Sequence, residues 1–149
     1  MTATVFQARD EILSLFKEAW DVGAESAGVL VLYADSKADI PTGMDADNNP
    51  LPWARVTVQH LGSLQGSLAG SHGTRRWTRN GIVTVQIFTA FGTGLSLSDK
   101  LAMIALGAFE GKETASHVWF RNVRPEEIGQ DGVWFQTNVI AEFTYDEVR

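Results

Sequence analysis

The chain has 149 residues, 44% hydrophobic and 20% charged, with 18 acidic and 12 basic side chains and a net charge of −6. That is the size and composition of a single folded domain with its own core, and the acidic balance argues against a sequence-independent grip on nucleic acid, which needs clustered cations. The absence of cysteine removes disulfides and thiolate metal sites and fits a reducing compartment; no apolar run reaches the ~20 residues needed to cross a bilayer, and Met1 to Asp10 lacks the basic-then-apolar pattern of a signal peptide.

Thr4 and Gln7 have the spacing of a capping box, so a helix is expected to start there. Val5, Ile12, Phe16 and Ala19 recur at helical spacing, Leu13 and Trp20 widen the stripe, and Gly23 is a suitable stop. "AGVLVLYAD" then predicts a short buried strand over about Gly28 to Tyr33. The segment that follows, 35–52, combines Pro41, Gly43, Pro50 and Pro52 with Asp and Asn and reads as a long acidic loop.

From Trp53 to Leu61 the residues alternate, with Ala54, Val56 and Val58 on one face and Arg55, Thr57 and Gln59 on the other, as in a half-buried strand. The segment 62–74 is rich in glycine yet apolar at Leu64 and Leu68, and reads as a second long loop. A strand with Val83, Val85 and Ile87 on one face comes next. Ser96 with Asp99 offers a capping pair to a second helix, carried by Leu97, Leu101, Ile104 and Ala108 and ended by Gly111. "HVWFRNV" and the stretch from Val133 to Tyr145 close the chain as two strands, with "GQDG" as the turn between them. In the last strand Val133, Phe135, Val139, Phe143 and Tyr145 share one parity. The sum is an α+β fold: a mainly antiparallel or mixed sheet of about five strands, packed with two main helices on one face.

Residues that could carry chemistry are scattered. His60, His72 and His117 lack metal-ligand spacing. Asp35, Asp39, Asp45 and Asp47 depart from the calcium-loop pattern and read as a solvated acidic loop. "GSLAGS" is not a nucleophile elbow, and segment 62–74 has no lysine for a phosphate loop. No catalytic constellation, metal site or cofactor site is expected. Arg75, Arg76 and Arg79 stand out because they flank Trp77 at the start of the clearest strand in an acidic chain. They are either charges that keep a sheet edge from aggregating or anchors of an interface.

The run WTRNGIVTVQIF from Trp77 to Phe88, the following Gly92-x-Gly94, and a helix ending near Phe109-x-Gly111 resemble the tail terminator-like proteins of long-tailed phages. The flanks agree: an N-terminal helix, "PWARVTVQH" before a Gly-rich loop, and "GQDGVWFQTNVIAEFTYDE" at the close. The resemblance covers about Thr4 to Glu147. It implies a single domain related in fold to the tail terminator of phage lambda, in which about six copies form a ring. That ring caps the tail tube, stops its polymerisation and presents a surface to the head-tail connector. It further implies a protein of the virion tail, made in the host cytoplasm, with DNA passing through the ring and no bond made or broken.

Interface candidates on this reading are Arg75, Arg76, Trp77 and Arg79, with Leu64 and Leu68 of one loop and Asp45 and Asp47 of the other. Two other readings remain open: another tail or neck component, such as a tube or completion protein, and a small-molecule-binding α+β domain.

Overall fold

Thr4 opens the first helix as its sequence requires: its Oγ1 accepts from the Gln7 amide at 3.2 Å, and Gln7 Oε1 accepts from the Thr4 amide at 3.1 Å. In the computed structural model, which describes residues 3–34, 36–67 and 70–149, this helix is α1 (Val5–Val22) and ends at Gly23. Ala8, Ile12, Phe16 and Trp20 form its buried stripe. Val5, expected in that stripe, is 36% exposed.

The elements follow in the expected order: β1 (Leu30–Tyr33), β2 (Trp53–Gln65), β3 (Arg76–Ala90), α2 (Ser96–Phe109), β4 (Trp119–Asp131) and β5 (Trp134–Val148). They make an α+β fold with a five-stranded mixed sheet in the order β1-β2-β3-β5-β4. Among the described residues, only β1 and β2 pair in parallel. The other neighbours are antiparallel.

One face of the sheet carries both helices. Ala54, Val56 and Val58 of β2 lie in register with Ile87, Val85 and Val83 of β3, and Val139, Ala141, Phe143 and Tyr145 of β5 continue the layer. Phe16, Trp20, Leu101, Ala105 and Phe109 press on it from the helices. Burying each large side chain of this kind contributes about 1.5–3 kcal/mol.

The structure changes several sequence-based boundaries. Residues 62–65, expected in a loop, continue β2, so the tip between β2 and β3 begins only after Gln65. Gly62 sits opposite Asn80 just past a bulge, within the paired strand rather than in a loop. Gly28, with φ +84°, belongs to a turn closed by Val29 N donating to Ser26 O, which shortens β1.

The N-cap of α2 is Leu95, with no side-chain cap, so the expected Ser96 and Asp99 pair does not form. Ser98 Oγ instead donates to Leu95 O at 2.9 Å. The closing hairpin is longer than expected and turns at Gly132 and Val133, which leaves Val133 60% exposed instead of in the core. Pro125 and two register breaks interrupt β4, the outer edge of the sheet, and discourage pairing with another strand.

Candidate functional site

The interface candidates fall at the two ends of β3. This strand spans 15 residues, about 46 Å at a rise of ~3.3 Å per residue. At its start, Trp77 and Arg79 lie opposite Gln65 and Ser63 of β2 and opposite Glu147 and Tyr145 of β5. A recess of about 260 Å³ opens there, lined by Ser63, His72, Arg75, Trp77, Arg79 and Arg149.

The arginines at this end differ in role. Arg79 donates through Nε to the Glu147 carboxylate and through Nη1 to Ser63 Oγ at 2.9 Å. Glu147 is 6% exposed and also lies 3.9 Å from Arg149. Arg79 is therefore tied into the fold, since removing one member of a largely buried pair leaves the other uncompensated. Arg76 approaches Asp146 at 3.9 Å, both being largely exposed, a contact of little energetic weight. Arg75 donates to Gly70 O at 3.0 Å and has no carboxylate partner among the described residues. Leu64, 71% exposed, pairs with Thr78 at this end and so points to the face opposite Ser63, Trp77 and Arg79. Leu68 lies outside the described residues.

Beneath the recess is a polar-aromatic support. His60 Nε2 and Tyr145 Oη are 2.7 Å apart, and the imidazole meets the Phe143 ring edge-on. Burial, with Arg9 and Arg79 adding to it, holds the His60 imidazole below its ordinary value of 6.5. Burial and then the Glu147 carboxylate push the Tyr145 hydroxyl up to about 12. Gly81 lets this cluster form: a Cβ there would lie 2.1 Å from Gln59 O and 2.6 Å from Phe143 Cζ.

Asp45 and Asp47 are at the far end. Asp45 Oδ1 accepts from the amides of Asp47 and Asn49, both at 2.9 Å, and Met44 bridges Pro50, so the turn is pre-formed rather than slack. Asp47 has no cationic partner among the described residues. Asp45 and Asp47 line a recess with Ala90, the last residue of β3, and with Lys100, which lies 3.8 Å from Glu25. Nearby, on the helix-free face, Trp53 stacks on Phe88 at 4.2 Å and meets Trp134 edge-on, with Arg55 over the Trp53 ring.

The structure thus brings Arg75, Trp77 and Arg79 together in one recess, puts Arg76 and Leu64 at the same end but on the opposite face of the sheet, and places Asp45 and Asp47 apart from them. Sequence reasoning missed His72, Ser63 and Arg149 in the basic recess and Glu147 as the partner of Arg79. The strand-like parity running from Tyr145 to Glu147 was the available signal, but it does not say which strand lies alongside. Among the described residues no cluster of three or more His, Asp or Glu is placed to hold a metal, and no helix is long and apolar enough to cross a membrane.

No protein-family model matches the chain, and no curated protein matches it. Solved structures do share its fold. One, a protein without a functional name, is 13% identical with a TM-score of 0.63, the match covering 92% of this chain and 94% of that one. Another is a chain of the virion of a native gene transfer agent particle, 10% identical with a TM-score of 0.50, the match covering 93% of this chain and 94% of that one. At these identities the likeness is one of fold.

Proposed function

We propose that this chain is a structural component of a phage-like virion and acts as a tail terminator. About six copies would close into a ring on the last ring of tail-tube subunits, stop polymerisation, and offer the head-tail connector a docking surface. The observation that carries this reading is the fold likeness, along almost the full length of both chains, to a chain of a gene transfer agent virion. The resemblance of the residue pattern from Trp77 to Gly111 to terminator-like proteins supports the terminator type within that class.

The architecture suits such a role. Ring closure joins copies head to tail and needs two unlike patches on each, and the two ends of this sheet carry unlike chemistry. The work is steric and geometric rather than catalytic. The protein would reside in the virion tail after assembly in the host cytoplasm, and DNA would pass through its ring.

Light scattering across a wide concentration range, with negative-stain imaging of the largest species, tests the reading. A closed ring of about six copies, free or on isolated tail tubes, is expected. Polymerisation into long tubes would assign the chain to the tube itself. A species that is monomeric in solution and inert toward tubes would overturn the proposal.

A further inference from the structure

The unlike ends of the sheet also suggest how copies meet. At one end a recess holds Arg75, free of any carboxylate partner among the described residues, beside His72 and Trp77. At the other end a pre-formed turn presents Asp47, likewise without a cationic partner among the described residues. At the acidic end Met44 and Phe91 are exposed near the charge, and at the basic end the Trp77 ring lines the recess itself. An unpaired cation in an aromatic-lined recess accepts a carboxylate best when that carboxylate is held in place and flanked by apolar contact.

We infer that the joint between neighbouring copies of this chain is end to end, with the Asp45–Asp47 turn of one copy seated in the Arg75, His72 and Trp77 recess of the next. This rests on the ring reading and adds the identity of the contact. The contact is heterologous, since the two surfaces differ and lie about 46 Å apart on one molecule, so successive copies add in one direction and can close. The strands then run around the ring rather than along its axis. The interrupted β4 edge fits this arrangement, because it leaves the ends free of competition from sheet extension.

A charge exchange tests the joint. Arg75→Glu sets a carboxylate against the incoming Asp47, and Asp47→Arg sets a guanidinium against Arg75, so each variant alone should need at least ~10-fold more protein than the parent to form rings, through like-charge repulsion at the joint. In an equimolar mixture the joints alternate. At one, the acidic replacement at position 75 of the first variant meets the basic replacement at position 47 of the second, and at the next the native Arg75 meets the native Asp47. Such a mixture should assemble within about threefold of the parent concentration. The thermal transition of each variant verifies folding. As an independent measurement, the chain has no cysteine, so Ala46→Cys combined with His72→Cys should oxidise to a ladder of linked copies, whereas either cysteine alone should stop at dimers.

Normal rings from either charge variant, or a mixture that fails to recover, would overturn the joint while leaving the ring reading intact. A double-cysteine protein that yields no ladder would do the same. A parent chain that forms no ring in solution or on tubes would overturn both.

Discussion

The two ends of the sheet are built by opposite means. Around Trp53 the strands finish in a stack of Trp53, Phe88 and Trp134, held by apolar contact. Around Arg79 the strands β2, β3 and β5 run on beyond β4, which pairs with β5 only as far as Thr144, and are joined by charged and polar contacts: Arg79 to Glu147, Thr78 to Asp146 at 2.8 Å, and His60 to Tyr145. The aromatic end should therefore respond to lost volume and hardly to pH or salt. The arginine end should respond to charge and protonation.

Breaking the aromatic end should have the largest effect. Trp53→Ala removes the centre of the stack and should cost about 3–5 kcal/mol, read as a lowered denaturation midpoint that changes little between low and high salt. Gly81→Ala is next. The new methyl group meets the Gln59 carbonyl and the Phe143 ring, and relieving that overlap should cost about 3 kcal/mol. A neutral result would show that β2 and β3 can separate at the root of the arginine end.

Glu147→Gln leaves Arg79 without its carboxylate and should cost about 2 kcal/mol, less than a fully buried pair because Arg79 retains some exposure and Ser63 as a partner. The loss should shrink if Arg79 is replaced as well, a coupling absent from distant pairs.

Protonation sharpens the contrast further. The folded state holds the His60 imidazole below its ordinary value, so the unfolded chain takes up the proton first. Stability from this site is present above about pH 6.5 and is lost as pH falls below that value. Tyr145 acts at the other limit, its contribution being present below pH 10.0 and lost as pH rises toward 12. Denaturation of the parent and of His60→Gln between pH 7 and 5 should differ in slope, the variant being flatter; parallel curves would remove His60 from the account.

The smallest expected effect on stability is that of Arg75→Ala, within about 0.5 kcal/mol. This separates Arg75 from Arg79. Replacing all three arginines would confound assembly with folding.

Element order and core faces were legible because they are local. The alternation at Ala54, Val56 and Val58, the run Val83, Val85 and Ile87, and the Thr4 and Gln7 capping box each state their structure within a few residues. What was not legible depends on distant partners. Gly62 reads as loop until Asn80 is placed opposite it, and Arg79 reads as a free cation until Glu147, 68 positions away, comes alongside. Gly81 looks like a weak point in a strand, and only the Phe143 ring explains it. Of the candidate site, the residue types could be read, but not their division between two ends of the molecule.

The central claim is that the chain caps a tail tube, and the most direct test is to incubate it with growing tubes and image them by electron microscopy. The account predicts one added layer of density at a single end of each tube, with elongation arrested once it is present. Tubes that keep growing, or protein bound along their sides and not at an end, would contradict it.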